Sequence, residues 1–253
     1  MGSVRVMSFN LRMQVENDGV NSFRNRKDRI AAMLEAEKPD IIGFQEVTDE
    51  MRLWLRGTLT DYSVLGSGRD SDYGGESSCI ALRNDRAEAI AMEPFWLSPT
   101  PDVPGSRYTE DQSQCPRMTL AVKVRCKGVK KPFYVLNTHT DHVGERARYC
   151  AMEQNIEYIA AHAEKFVFTG DMNATPDAKE IRIVEERLGG RGCKDVTAAL
   201  GGTFHDFGRR AEKCKIDYIF TDGERVCSYL VDDAGEGGLY YSDHHAVVAE
   251  ILL

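Results

Sequence analysis

Two polar side chains stand one residue apart at the end of an apolar run in the segment KFVFTGDMNATPD, residues 165–177. Asp171 can take a proton from a water molecule as a general base. Asn173 comes two residues later, so an extended chain would place it on the same side, where it can orient that water or a substrate. The pair suits hydrolysis if other groups supply a cation and a proton donor.

Five further apolar runs end or begin with polar side chains of similar type. Loops at strand ends converge on a cleft in layered α/β folds, so these side chains are expected to pool there. Ionised carboxylates crowded in one pocket need a cation or protons to be tolerated. The residues concerned are Asn10, Gln45, Glu46, Asn137, His139, Asp217, Asp243 and His244.

The expected pocket contains hard oxygen ligands. Glu46, Asp243 and the side-chain carbonyl of Asn10 suit Mg²⁺ or Mn²⁺ better than zinc. His139 and His244 titrate near pH 7 and can stabilise or protonate an oxyanion. A metal, an acid, a base and oxyanion donors together predict hydrolysis of a phosphoester, because developing charge on phosphoryl oxygens must be neutralised.

The pattern of apolar residues along the chain predicts the strands and helices that must position these side chains. Continuous apolar runs are typical of strands covered on both faces. Helical patterns lie between them, with Ser22 as a candidate N-cap and Asp177 near the positive end of the last helix. The predicted strands are 4–10, 40–47, 79–83, 118–126, 133–140, 165–171, 215–220 and 245–253, and the predicted helices are 23–37, 48–56, 144–163 and 177–188.

This mixture of elements predicts an α/β fold in which sheet packs on sheet and helices lie outside. The chain has 253 residues and a net charge of -8, and one domain over residues 1–253 would account for its length. No apolar run reaches the length of a membrane span and no secretory pattern opens the chain, so we expect a cytoplasmic protein. The acidic balance disfavours a stable nucleic-acid complex, and we expect a monomer.

Two further segments offer candidates for substrate binding. The proline-rich stretch 95–117 predicts a long ordered loop, and Arg117 at its end could clamp a phosphate or pair with an acidic surface. In GTFHDF, residues 202–207, Thr203 and Phe204 are expected on the substrate side of the cleft, and His205 is expected to face solvent. Supporting salt bridges are expected from Arg12, Arg26 and Arg148.

Six blocks, in order, resemble the endonuclease/exonuclease/phosphatase superfamily over residues 4–250. The resemblance implies a four-layer α/β-sandwich with two mixed or antiparallel sheets face to face. The superfamily holds deoxyribonucleases, abasic-site endonucleases, inositol polyphosphate 5-phosphatases, sphingomyelinases and deadenylases. The blocks are VMSFNLR, PDIIGFQEV, NTHTDHVGERAR, FTGDMNATPD, KIDYIF and YSDHHAV.

The resemblance also implies roles for individual residues. Glu46 would be the principal metal ligand, helped by Asn10 and Asp243. Asp171 would orient or deprotonate the attacking water, and Asn173 and His139 would face the phosphate. Asp217 would be the carboxylate partner of His244, and Glu76 the acid that pairs with His139. His245 and Met172 differ from the residues usual in the family beside the site, so the resemblance does not identify the substrate.

Two alternatives to a phosphoester hydrolase remain. NTHTDH reproduces most of the zinc-binding HxHxDH pattern of metallo-β-lactamases, with His139, Asp141 and His142 in place and Asn137 instead of the first histidine. A catalytically inactive binding module on the same scaffold is the other. Among phosphoesters, the acidic balance favours small or single-stranded phosphodiesters and sugar, inositol or lipid phosphates over long duplex DNA.

Overall fold

The computed structural model describes residues 2–231, 233 and 235–253, and twelve strands and four α-helices are found there. In chain order the elements are β1 (Ser3–Asn10), α1 (Phe23–Glu37), β2 (Ile41–Gln45), α2 (Asp49–Thr58), β3 (Tyr62–Leu65), β4 (Ile80–Arg83), β5 (Ala87–Trp96), β6 (Met118–Cys126), β7 (Phe133–His139), α3 (Glu145–His162), β8 (Phe166–Asp171), α4 (Lys179–Leu188), β9 (Lys194–Asp195), β10 (Asp217–Thr221), β11 (Glu224–Val231) and β12 (Ala246–Leu252).

The strands form two mixed sheets of six. The first has the order β11-β12-β1-β2-β4-β3 and the second the order β5-β6-β7-β8-β10-β9. The pairs β1 with β2 and β7 with β8 run parallel, and the other neighbours run antiparallel. Each sheet therefore has its parallel pair near the middle, where both faces are covered.

Three apolar clusters separate four layers. Alternation along β1 shows why: Val4 and Val6 pack between the sheets, whereas Met7 and Phe9 pack against α1 and α2. A third cluster joins the outer face of the second sheet to α3 and α4. The predicted four-layer α/β-sandwich is confirmed.

The side-chain amide of Asn137 is buried and joins the two sheets by hydrogen bonds. Oδ1 of Asn137 accepts from Nε2 of Gln45 at 2.7 Å and from Oγ1 of Thr169 at 3.0 Å. Its Nδ2 donates to the carbonyls of Phe44 and Cys79. The sheets approach closely here because residue 43 is glycine: a Cβ there would lie 2.3 Å from Oγ1 of Thr169.

Every strand and helix predicted from the sequence is found, with ends within two residues of those expected. The strands β3, β5, β9 and β11 were not predicted, and all four are sheet edges. In the described part of the chain, no helix is both long and apolar enough to span a membrane.

Candidate active site

Strand ends from both sheets meet around one cleft of about 340 Å³. Register explains the convergence. Asn10 at the end of β1 lies opposite Gln45 of β2, so Glu46 follows at the same edge. In the second sheet Asp171 pairs in register with both His139 and Asp217. Of the predicted site residues, those that line the cleft are Glu46, Glu76, Arg117, His139, Asp171, Asn173, Phe204, Asp243 and His244.

Asp171 lies at the centre of the hydrogen-bond network. Its Oδ1 accepts from the backbone N–H of Asn173 at 2.9 Å, and its Oδ2 accepts from Nδ2 of Asn10 at 2.9 Å. Nε2 of His139 is 3.5 Å from Oδ2, and Nε2 of His244 is 3.7 Å from it. Burial, followed by the charge of Asp217, raises the pKa of Asp171 to about 7.

His244 lies between two carboxylates. Its Nδ1 is 2.8 Å from Oδ2 of Asp217, which is buried and comes from the start of β10. Burial by itself would lower the pKa of His244, but the charge and hydrogen bond of Asp217 and the charge of Asp171 raise it well above its usual value. Because a carboxylate accepts at Nδ1, Nε2 is the nitrogen that faces the cleft and Asp171.

His139 has the opposite electrostatic surroundings. Burial, then the positive charges of Arg117 and Arg69, lower the pKa of His139 well below its usual value. Nδ2 of Asn173 lies 3.1 Å from Nε2 of His139 and donates to the carbonyl of Thr140 at 3.1 Å. Asn173 has a φ of 46°, a left-handed conformation that asparagine tolerates better than most residues. The turn after β8 thus brings both Asp171 and Asn173 to the cleft.

Glu46 and Asp243 supply the carboxylates on one side of the site, next to Asn10, whose Oδ1 accepts from the backbone N–H of Arg12 at 2.9 Å. Oε1 of Glu46 accepts from Nδ2 of Asn10 at 3.1 Å, and its Oε2 accepts from the backbone N–H of Met13 at 3.0 Å. Burial raises the pKa of Asp243, and the nearby charge of Glu46 adds to the rise. Crowded carboxylates that repel one another in this way fit a hard divalent cation, and the donor set is one that Mg²⁺ or Mn²⁺ accepts.

A second group of possible metal ligands, Asp171, Asp217 and His244, has ligand atoms within 4.8 Å of one another. We interpret this group as a row of hydrogen-bonding side chains, because Nδ1 of His244 is already bonded to Asp217 and its ring lies between the carboxylates of Asp217 and Asp171. The predicted ligands Glu46 and Asp243 are not members of that group, although both line the same cleft.

The predicted pairing of Glu76 with His139 is wrong. Oε1 of Glu76 lies 2.6 Å from Nη2 of Arg69, and no hydrogen bond or ion pair joins it to His139 within the described ranges. The loop 67–76 folds back on itself, with the backbone N–H of Arg69 bonded to the carbonyl of Glu76 at 2.9 Å. Arg69 is therefore the cation that pairs with Glu76.

Thr203 is also misplaced by the sequence prediction. It is fully buried, and its Oγ1 accepts from the backbone N–H groups of Ile216 and Asp217 at 3.1 and 3.2 Å. Thr203 therefore holds the start of β10 and is not among the residues that line the cleft. Phe204, in contrast, lines the cleft, and its ring centroid is 4.9 Å from that of His244.

His205 was expected to face solvent and is instead 1% exposed. Its Nδ1 accepts from the backbone N–H of Gly208 at 3.1 Å, and its ring packs 4.3 Å from that of His245. Burial, followed by the charges of His245 and His244, lowers the pKa of His205 to about 3. This histidine is a neutral packing residue behind the site.

Two of the three arginines expected to form salt bridges do so. Nε of Arg12 lies 3.0 Å from Oδ2 of Asp18, and Nε of Arg148 lies 2.8 Å from Oε1 of Glu180. Arg26 is fully buried and bonds to backbone carbonyls instead, because loops leave carbonyls without partners in a sheet or helix. Its acceptors are the carbonyls of Leu11, Arg12, Asn21 and Tyr241.

Arg117 belongs to the cleft wall but is only 4% exposed. Its Nη2 donates to Nδ1 of His142 at 2.9 Å, and its Nε is 3.4 Å from Oδ1 of Asp141. Arg69 was not predicted from the sequence as a site residue, nor His142 as a substrate contact, although both line the cleft. The glycine-rich stretch GSGRDSDYGGES was the available signal for Arg69, since such loops approach ligands closely.

The residues of the zinc-like pattern NTHTDH do not form a metal site. The side chain of Asn137 already makes hydrogen bonds between the two sheets. Both oxygens of Asp141 accept hydrogen bonds from Ser113, and Oδ2 also accepts from the backbone N–H groups of Val143 and Gly144 just before α3. Of these residues, only His139 and His142 line the cleft.

The chain is similar to known proteins of one family over nearly its whole length. The sequence model of the Endonuclease/Exonuclease/phosphatase family matches residues 7–244. An endonuclease/exonuclease/phosphatase from Bacteroides vulgatus is 32% identical, with a TM-score of 0.91 and full coverage of both chains. The mannosyl-6-phosphatase of Bacteroides thetaiotaomicron is 25% identical, with a TM-score of 0.81 over 99% of this chain and 100% of that one. The TDP2 of D. rerio, solved with a single-strand DNA product, shares the fold at 19% identity, with a TM-score of 0.79 and full coverage of both chains.

Proposed function

Because the chain belongs to the endonuclease/exonuclease/phosphatase family, we propose that it hydrolyses phosphoester bonds with the help of a divalent cation. Members of the family act on such bonds, as the mannosyl-6-phosphatase does. The observation that carries the proposal is the arrangement around Asp171, whose carboxylate lies between His139 and His244 at the floor of an open cleft.

In the proposed reaction Asp171 takes the proton of the attacking water. Asn10 and the backbone N–H of Asn173 hold the carboxylate in one orientation, so it meets the water without reorganising. His139 and the side chain of Asn173 flank it and would contact the phosphoryl oxygens. His244, held by Asp217, presents Nε2 to the cleft as a hydrogen-bond donor to the same group.

We assign the cation to Glu46 and Asp243, with Asn10 as an additional ligand. When bound, Mg²⁺ or Mn²⁺ supplies positive charge that neutralises phosphoryl oxygens. Met13 and Arg12 fix the two carboxylates from the protein side: the backbone N–H of Met13 donates to Glu46, and Nε of Arg12 is 3.7 Å from Oδ2 of Asp243.

The substrate class that we favour is a small phosphoester, such as a sugar phosphate or a short phosphodiester. The cleft of about 340 Å³ can hold a group of that size. The net charge of -8 opposes tight binding of long duplex DNA. The similarity to a mannosyl-6-phosphatase supports a sugar phosphate as the first candidate.

The test is a substrate panel assayed with Mg²⁺, Mn²⁺ or Zn²⁺. It contains mannose 6-phosphate, inositol phosphates, bis(4-nitrophenyl) phosphate, oligoribonucleotides and plasmid DNA. We expect Mg²⁺ or Mn²⁺ to support turnover of at least one small ester. Asp171→Asn should lower kcat about 10²- to 10⁴-fold, the contribution of a general base, while the exposed control Asp177→Asn retains activity.

Four results would count against the proposal. Activity restored by Zn²⁺ alone would favour the metallo-β-lactamase-like alternative. Binding of these esters without turnover under any metal would favour an inactive binding module. Duplex DNA cleaved faster than the small diesters would overturn the preferred substrate class, and wild-type rates in Asp171→Asn would remove the assigned base.

A further inference from the structure

Three nitrogen-bearing side chains line the same cleft as the proposed catalytic residues, and they are here called the basic wall: Arg69, Arg117 and His142. The two arginines come from different loops, 66–79 and 97–117. They lie close enough to His139 for their charges to act on it. The basic wall is therefore adjacent to the position proposed for the scissile phosphate.

Arg117 fixes the orientation of His142. Its Nη2 lies 2.9 Å from Nδ1 of His142. A guanidinium only donates, so this nitrogen accepts, and the proton of neutral His142 is on Nε2. His142 is exposed, which leaves that N–H free to meet a ligand at the rim of the cleft. Nη1 of Arg117 is buried and has no hydrogen-bond partner among the described residues.

Arg69 is held in place but keeps donors available. Its carbonyl accepts from Nε1 of Trp96 at 2.6 Å, and its backbone N–H donates to the carbonyl of Glu76. Only Nη2 of its guanidinium has a hydrogen bond within the described ranges, at 2.6 Å to Oε1 of Glu76. The other guanidinium nitrogens remain for a ligand. Binding through them would cost little conformational entropy, because the loop is already folded.

Glu76 and Asp141 balance the charges of the two arginines, but the hydrogen-bond donors of the basic wall are not all used within the described residues. Asp141, the carboxylate nearest to Arg117, gives its oxygens mainly to Ser113 and to the backbone N–H groups at the start of α3. Its contact with Arg117 is long, at 3.4 Å. Glu76 engages one nitrogen of Arg69. Donors thus outnumber acceptors, as expected where an anionic ligand completes the site.

We propose that Arg69, Arg117 and His142 form a second anion subsite, which binds a phosphate or similar group that the substrate carries in addition to the scissile phosphate. Arg69 and Nε2 of His142 would contact this group, and Arg117 is a positioning residue that orients His142. The inference rests on the proposed function for the identity of the substrate, but binding of an anion to the wall does not depend on turnover.

The first experiment measures binding of inorganic phosphate to the metal-free protein in EDTA by calorimetry. We expect Arg69→Gln and His142→Ala each to raise the dissociation constant about 10-fold or more, the effect of losing a charged hydrogen bond. The matched control is Arg125→Gln, an exposed arginine of β6 paired with Glu88, and it should bind as the wild type does. No measurable binding by the wild type, or equal binding by Arg69→Gln, would overturn the subsite.

The second experiment asks whether the group bound there belongs to the substrate. Thymidine 5′-(4-nitrophenyl phosphate) is compared with its 3′-phosphorylated form, and fructose 6-phosphate with fructose 1,6-bisphosphate, in the metal-loaded enzyme. We expect the ratio of kcat/KM, doubly over singly phosphorylated, to exceed one and to fall about 10- to 100-fold in Arg69→Gln, but to stay constant in Arg125→Gln.

The outcomes separate the two proposals. If Arg69→Gln lowers kcat/KM for both members of a pair equally, the arginine serves the scissile phosphate and the second subsite is wrong. If phosphate binds to the basic wall but the wild-type ratio is one, the wall binds a free anion. The proposal that this anion belongs to the substrate is then wrong. If no ester is hydrolysed, the proposed function fails, while the calorimetry still decides whether the basic wall binds an anion.

Discussion

Nδ1 of His244 lies 2.8 Å from Oδ2 of Asp217, and the two residues come from the ends of strands in different sheets. His244 precedes β12 of the first sheet, and Asp217 begins β10 of the second. The contact therefore depends on how the sheets stack, and it ties the geometry of the cleft to the packing of the whole sandwich.

Asp217→Asn tests that contact. An amide has no negative charge to stabilise a protonated His244, so we expect kcat to fall about 100-fold or more with KM changed less. Steady-state kinetics on the best panel substrate gives the numbers, and circular dichroism checks the fold. A kcat within threefold of wild type would show that His244 does not need its carboxylate.

Thr203 is expected to act through Asp217. Thr203→Val removes the acceptor of two backbone N–H groups, one of them buried, which should lower the free energy of unfolding by about 1–3 kcal/mol and reduce kcat as β10 shifts. Thr203→Ser keeps the hydroxyl and should restore most of both losses. Urea unfolding and kinetics measure the two effects. Equal behaviour of the valine and serine variants would contradict this role.

Gly43 and Gly57 form a matched pair for the packing of the sheets. A Cβ on Gly43 would lie 2.3 Å from Oγ1 of Thr169 and 2.6 Å from Oδ1 of Asn137, whereas nothing lies within 4 Å of one on Gly57 in α2. Gly43→Ala should destabilise the protein by more than about 2 kcal/mol through overpacking. Gly57→Ala should stabilise it by about 0.5–1 kcal/mol, because alanine favours helix. Thermal or urea unfolding of both variants decides; a neutral Gly43→Ala would mean that the sheets can separate locally.

Stability should depend on pH through Asp141. Burial by itself would raise the pKa of Asp141, but hydrogen bonds from Ser113 and Gly144 and the charge of Arg117 together hold it well below its usual range. A folded pKa below the unfolded value of about 3.9 stabilises the protein above pH 4, and this stabilisation is lost as pH falls through the folded pKa. Asp141→Asn should therefore cost stability at pH 7, with a difference from wild type that shrinks below about pH 4. Urea unfolding at several pH values checks it, and a constant difference would contradict the assignment.

The sequence by itself determined the inner strands of both sheets and the four helices. Buried strands must be apolar on both faces, so their runs are continuous and easily recognised. The edge strands β3, β5, β9 and β11 escaped the prediction because solvent covers much of their surface. In β5, for example, the residues from Glu88 to Glu93 are all exposed, so burial does not dictate their types as it does in an inner strand.

The sequence also determined which kinds of side chain gather at the cleft, since polar residues such as Asp171 and His244 follow apolar runs at predictable points. Only the tertiary structure decided their partners. Glu76 bonds to Arg69 and not to His139, Thr203 turns inward to the backbone of β10, and Arg69 with His142 joins the cleft wall. Partner choice depends on the distances left after sheets and loops pack, and residue type and spacing along the chain do not contain those distances.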